Sequence, residues 1–397
     1  MPAAAFAGGY AIPNTNARDL GMAEAAVAAQ EGPESVYGNS AALAGQQGFA
    51  VTAGVQGIYF RTKWTDTTGG FGGGSTNTVD KLALPPELYA AYGGKVNGMP
   101  YGLGAGFTVP GGGYVFWPFN WPGRTAIITV DRKVYNFILA GGIQPIEQLK
   151  IGLGGVYFRT TEKLQQGLGL SQGDIQVGTS GGVLSWTASL EAKPVKDAPF
   201  TIGMTYRHQA VQNLTGLAHA GNVPPALQGA NPPLIDQGLS HTLTFPNILQ
   251  VGVATTAVPD LLLAAAYQFS RFTVYQQDAF IGDKGTSVIV AREFHNQHVF
   301  RLGAEYGGLL PGLKVRAGLI RDLSPQPTST LDPSLPDSSS WATNLGATYA
   351  FTKGLSGSIG WEHAFFDQTQ TSGADPFPGQ YNTRADLVGV SISYRME

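Results

Sequence analysis

Along residues 49–395, apolar and polar positions take turns over short stretches. Fourteen such stretches are separated by thirteen connections that alternate between long and short. In the first, Phe49, Val51, Ala53, Val55 and Tyr59 alternate with Ala50, Thr52, Gly54, Gln56 and Ile58. In the tenth, Phe300, Leu302, Ala304 and Tyr306 oppose Arg301, Gly303 and Glu305, and in the last Val388, Val390 and Ile392 oppose Gly389, Ser391 and Ser393. A period of two sends successive side chains to opposite faces of a strand. The stretches begin near Phe49, Pro86, Tyr101, Arg132, Gln148, Gly182, Phe200, Leu239, Asp260, Glu293, Gly312, Ser338, Gly354 and Arg384. Short connections fall at Asn97-Gly98, Pro145–Glu147, Lys196–Ala198, Pro259, Leu309–Pro311 and Thr352-Lys353. Long ones fall at Trp64–Leu84, Pro110–Asp131, Leu164–Gly181, Asn213–Gly238, Gln276–Arg292, Asp322–Asp337 and Asp367–Thr383. Brief turns on one side and long loops on the other are the rhythm of an up-and-down barrel across an outer membrane. The pattern predicts an all-β membrane protein, a 14-stranded antiparallel transmembrane β-barrel.

Residues 8–47 do not alternate. The Ala-rich run Asp19–Gln30 carries a Leu20/Ala23/Val27 stripe and predicts one or two short helices. The expected division is a remnant of a signal-cleavage region over 1–7, an N-terminal hatch plugging the barrel over 8–47, and the barrel over 48–397. Composition agrees. Of the 397 residues only 13% are charged while 11% are aromatic, against about 25% charged in soluble domains. No apolar run is long enough for a helical span. An arginine left in lipid at the bilayer centre costs about 2–4 kcal/mol, and the alternation places Arg301 and Arg395 in the lumen instead. A net charge of -3 gives no footprint for nucleic acid, and the absence of cysteine removes disulfides and thiolate metal sites.

Several segments carry a resemblance. They are Ala7-Gly8-Gly9-Tyr10, Ala17–Ala23 (ARDLGMA), Asn39–Leu43 (NSAAL), Leu243–Pro246 (LTFP) through Val251-Gly252, and Ala317–Leu319 with Asp322–Pro325. In their order and spacing the chain resembles the FadL-type outer-membrane transporters of long-chain fatty acids and other hydrophobic compounds. The resemblance implies a fourteen-stranded barrel, a hatch with an Asn-Pro-Ala motif (here Asn39, Ser40 and Ala41, serine replacing proline), and a kinked third strand that opens the wall. It also implies passive uptake with localisation in the bacterial outer membrane. Long-chain fatty acids are the expected substrate and aromatic hydrocarbons the alternative.

The implied kink maps to Val109, Pro110, Gly111, Gly112 and Gly113, where proline lacks a donor and glycines favour bulges. The same run also reads as the start of an exterior loop. The apolar segment within Asn213–Gly238 reads as a capture surface or as a lid over the mouth. A carboxylate ligand needs a cation, and Arg301, Lys314 and Arg316, with Phe107 beside them, are the candidate lumenal partners; lumenal arginines also pair with carboxylates such as Glu305. The expected partners are a hydrophobic small molecule (fatty acid, detergent or hydrocarbon) and outer-membrane lipids, in a monomer. Catalytic signals are weak. Gly178–Gly182 fits G-x-S-x-G but leads into a strand rather than a helix. His295 and His298 point to opposite faces, so no metal or other cofactor is expected. An outer-membrane lipase or esterase is the rival from another class.

Overall fold

The computed structural model describes residues 16–396 apart from 170–171, 232 and 373–376; the segments 1–7 and Ala7–Tyr10 lie outside the described residues. Fourteen wall strands follow in order: β1 (Gly48–Thr65), β2 (Pro86–Val96), β3 (Met99–Phe116), β4 (Thr129–Ile146), β5 (Leu149–Gly167), β6 (Asp174–Ala192), β7 (Phe200–Arg207 and Ala210–Gly221), β8 (Gln237–Phe245 and Ile248–Val258), β9 (Leu261–Ser270), β10 (Gln297–Leu310), β11 (Leu313–Leu323), β12 (Ser340–Ala350), β13 (Leu355–Phe366) and β14 (Gln380–Arg395). Each pairs antiparallel with its sequence neighbours, and β1 closes the cylinder on β14 from Ala50↔Arg395 to Thr65↔Gln380. Closure leaves no edge strand, which lipid requires because it offers backbone groups no partners. Among the described residues no helix is long and apolar enough to cross a membrane.

Four of the long connections differ from expectation. The one read over Asn213–Gly238 spans only 222–236, because β7 continues to Gly221. β3 runs to Phe116, so the loop after it spans 117–128 rather than Pro110–Asp131. The ladder passes from Thr108↔Asn136 to Gly111↔Val134, so Val109 and Pro110 together face Tyr135. This bulge absorbs the proline's missing donor, and it reverses which face each residue presents. Before it Gly102, Gly104 and Gly106 face inward against Leu43, Val36 and Tyr89; after it Gly113 and buried Val115 do. The connection expected over Leu164–Gly181 shrinks to 168–173, because β5 and β6 stay paired up to Gly167↔Asp174. The long connection at Gln276–Arg292 folds into a hairpin of Gln277–Gly282 and Ser287–Ala291.

Inside the wall sit two one-turn helices, Ala17–Gly21 and Ser35–Gly38, and 3-10 turns at Ala26–Ala28 and Ser40–Gly45. They seat on a ring of lumen-facing glycines, several of them in cross-strand register: Gly142↔Gly152, Gly303↔Gly318, Gly346↔Gly360 and Gly360↔Gly389. A Cβ at Gly142 would stand 2.5 Å from the Ser40 carbonyl oxygen, one at Gly303 2.5 Å from that of Met22, and one at Gly318 2.6 Å from Ala23 Cβ. Only bare backbone admits the hatch at this depth. Asn39 fixes it further, accepting the Ala41 N–H (3.1 Å) and donating to the Val27 (2.8 Å) and Leu190 (3.0 Å) carbonyls. Ser40 Oγ meets Ser189 Oγ at 3.2 Å, a wall contact that the family's proline has no hydroxyl to make.

Gly303→Leu is expected to lower stability by about 1–3 kcal/mol, the usual cost of overpacking. Gly155→Leu, where an added Cβ meets nothing, serves as control. Thermal unfolding of both variants in detergent checks this.

Candidate functional site

The extracellular half of the lumen holds a cavity of about 370 Å³. One wall is a cross-strand row, Val130, Leu164, Val177 and Ala218, set by the register of β4 through β7. The opposite wall comes from Phe280, Val288 and Val290 of the loop hairpin, and Pro233, Leu234 and Ile235 of the loop after β7 close a side. That loop, read from sequence as capture surface or lid, contributes wall. The roof is Phe377 with an aromatic cluster packed behind it. Trp117 stacks on Trp121 (ring centroids 4.1 Å apart), and Trp64 stacks on Phe377 (4.7 Å) with Phe71 edge-on.

Asp66 holds the loop that supplies Phe71. Its carboxylate accepts the N–H groups of Thr68 (2.9 Å), Gly69 (3.0 Å), Phe71 (2.8 Å) and Gly73 (3.0 Å). Desolvation in this turn opposes the charge, but the amide donors of Thr68, Gly73 and Phe71 prevail and hold the carboxyl down at about 2.

One row below the apolar wall lies a buried charge chain. Arg132 donates from Nε and Nη2 to Glu162 Oε1 (2.8 and 2.5 Å). Glu162 Oε2 faces His241 Nδ1 at 3.2 Å, and His241 Nε2 faces Asp278 Oδ1 at 3.1 Å. Asp278 Oδ2 accepts from Arg292 Nε (2.8 Å) and the Tyr275 hydroxyl (2.7 Å), and Arg292 reaches Asp332. With a carboxylate on each ring nitrogen, both nitrogens of His241 donate, so the ring is an imidazolium. Three cations then balance three anions beneath the cavity. None of these residues was singled out from sequence. Arg132 and Glu162 sit at inward positions of the alternation, but nothing local identifies His241, Asp278 or Arg292 as their neighbours.

The cations that were singled out lie lower. Arg301 is buried one row above the glycine ring. Its Nη2 stands 3.2 Å from Glu24 Oε2 of the hatch, while Nε and Nη1 have no partner among the described residues. Arg207, on the neighbouring wall, lies over the Tyr37 ring (4.5 Å) and donates from Nη2 to the Tyr37 carbonyl; its Nε is likewise unpartnered. Arg316 and Lys314 face inward too, but one and two rows below the ring, where Glu305 takes both at 2.7 and 2.9 Å. They line the polar vestibule on the short-turn side, not the apolar cavity. Phe107 is not lumenal. It shares the face of Leu103, which is 61% exposed, and packs its ring against outward-facing Phe137.

Between the cavity and the ring, the wall is incompletely laddered. β2 and β3 pair from Val96↔Met99 only to Leu88↔Phe107. Beyond Phe107, the next bond from the β2 side to β3 is Val79 N–H to the Phe116 carbonyl (2.6 Å). Thr108–Val115 meets the β4 side alone: Gly111, Gly112 and Gly113 pair with Val134, Lys133 and Arg132, while Val109 and Pro110 form the bulge.

The chain matches, over residues 1–396, the model of a family described as outer membrane protein transport protein (OMPP1/FadL/TodX). A comparison with curated proteins finds no match. Among solved structures, the chain is similar to a Pseudomonas aeruginosa FadL homologue (17% identity, 98% of this chain and 100% of that one, TM-score 0.87). It is also similar to the P. putida toluene transporter TodX (15%, 98% and 98%, 0.73) and the Ralstonia pickettii toluene transporter TbuX (16%, 92% and 94%, 0.69).

Two outcomes are expected. Arg132→Met removes one of Glu162's two cations, leaves the buried chain one positive charge short and should destabilise the barrel by about 3–5 kcal/mol, read by chemical unfolding. Asp66, with a depressed carboxyl, lends the roof stability that is complete above the unfolded value of about 3.9 and lost as pH falls through about 2. Tryptophan emission should therefore hold from neutral pH to about 4 and shift only below it.

Proposed function

The chain belongs to the OMPP1/FadL/TodX family of outer-membrane transport proteins, and on that premise we propose that it takes up long-chain fatty acids passively and releases them sideways between β2 and β3. The observation that carries the substrate is the unpartnered Nε and Nη1 of buried Arg301. An unsatisfied buried donor costs about 1–3 kcal/mol, and a carboxylate satisfies such a donor with a charge-assisted hydrogen bond. An aromatic hydrocarbon leaves those donors bare.

The ligand first dissolves in the apolar cavity, whose charged floor is internally balanced. Its carboxylate then settles on Arg301 above the hatch. Downward passage is opposed by two features: the hatch is seated against bare glycine backbone, and the space beneath it is polar, lined by Arg18, Glu31, Lys314 and Arg316. Each methylene moved into water costs about 0.8 kcal/mol, so the unladdered stretch Thr108–Val115 is the cheaper way out. Gly111 and Gly113 line that stretch on the lumen side without side-chain bulk.

Uptake of oleate, toluene and a polar sugar by vesicles carrying the protein tests the reading. Arg301→Met is expected to slow oleate about tenfold, one charge-assisted hydrogen bond's worth, and to leave toluene unchanged; Gly113→Leu is expected to slow both. Toluene uptake with no oleate uptake would favour the aromatic-hydrocarbon reading. Sugar flux equal to oleate flux would mark an open porin, and ester cleavage by the purified protein would mark a lipase.

A further inference from the structure

On the outer face of β14, β1, β4 and β5, the side chains follow one order towards the long-loop end: an apolar run, in three of the four an aromatic, then a cation. Tyr59 precedes Arg61, Tyr135 precedes Lys133, and Tyr157 precedes Arg159, while on β14 Val388 is followed by Asp386 and Arg384. Lys63, Lys81 and Lys163 extend the same sector, with Lys81 Nζ 3.3 Å from the Phe116 ring centroid. Counter-charges there are few. Asp80 meets Arg61 at 3.5 Å, Asp131 meets Lys133 at 3.3 Å and lies opposite Lys163, and Asp386 is held by His363 at 2.7 Å. Among the described residues, Lys63, Lys81, Arg159, Lys163 and Arg384 have no carboxylate within ion-pair distance.

Arg61 and Arg384 are direct cross-strand partners, both exposed on the outer face. Like charges so placed repel and destabilise a sheet. Simple snorkelling of cations to the interface would place them all round the barrel. Instead β6, β7 and β8 present Ser180, Gln176, Asn213, Thr215, Ser240 and Thr242 at that level, without a cation. The belt is densest in this sector, at the height where a membrane's headgroups begin above the aromatic girdle; elsewhere in the same row Arg321 of β11 lies over Trp341 and is neutralised by Asp367 at 3.1 Å.

We propose that this belt is a binding site for a phosphorylated lipid of the outer leaflet, whose headgroup phosphates sit between Arg61 and Arg384 with Lys63, Lys81, Lys133 and Arg159 around them. Guanidinium pairs bind phosphate bidentately, and a dianion between them turns the cross-strand repulsion into attraction. The acyl chains then lie along the apolar run below, beside the unladdered stretch of β3. The site needs no particular cargo and stands apart from the transport reading.

Native mass spectrometry of the whole protein in micelles, given diphosphorylated lipid A, its dephosphorylated form, or inorganic pyrophosphate, tests this. The diphosphorylated lipid is expected to be retained. Arg61→Gln and Arg384→Gln should each weaken retention about fivefold, the worth of one cation at an anionic surface, and Lys133→Gln with Arg159→Gln should do the same from a second pair. Lys95→Gln, at the opposite end of the wall, should leave retention unchanged. No retention by the native protein, equal retention of the dephosphorylated lipid, undiminished retention by the doubly substituted variants, or displacement by pyrophosphate as effective as by lipid would each overturn the proposal.

Discussion

A polypeptide in lipid must pair its own backbone, since hydrocarbon supplies neither donor nor acceptor. Here that demand is met by a ladder passing through fourteen strands and returning from β14 to β1. The same demand makes any interruption informative. Thr108–Val115 is one stretch where one side of a wall strand lacks a regular partner ladder, as Gly181–Ser185 of β6 does on its β7 side, and β3 absorbs the defect with a bulge rather than by ending. A proline and three glycines tolerate this because the proline has no N–H to strand and the glycines have little side-chain burial to lose.

The ladder also fixes what the interior can hold. Because inward positions recur in register from strand to strand, one choice of residue repeated on successive strands becomes a ring. Glycine at Gly142, Gly152, Gly303, Gly318, Gly346 and Gly360 makes a ring without side chains, and the hatch backbone fills it. Above that plane the interior is apolar with a self-balanced charge chain; below it lie Arg18, Glu31, Glu305, Lys314 and Arg316. The plane therefore separates two solvents as well as two compartments.

Much of this was legible in the residues. Alternation over Phe49–Tyr59 and Phe300–Tyr306 gives strands and faces directly, and the short turn at Asn97-Gly98 lies between β2 and β3 as read. The misreadings have physical causes. Pro110–Gly113 carries every local mark of a loop, yet a ladder on the β4 side overrides it. Gly178 to Gly182 reads as a break, but an unbroken ladder to β5, joined as far as Ser180 by one to β7, carries the strand through it. Phe107 was read as lumenal, but it precedes the bulge and keeps the outward parity of Leu103 and Ala105. The chain linking Arg132, Glu162, His241, Asp278 and Arg292 was not legible, because its members are brought together by closure rather than by spacing.

Charge placement keeps the upper lumen apolar despite the ionised groups in its wall. An unpaired cation in the cavity wall would hold water and spoil the solvent for an acyl chain. Pairing Arg132 and Arg292 with Glu162, Asp278 and Asp332 removes that water at the entrance. Arg301 differs because Glu24, its single ion-pair partner, comes from the hatch. The plug thus does more than occupy the pore: it supplies the carboxylate that faces a cation of the barrel wall, so its position bears on the charge of the lumen above it.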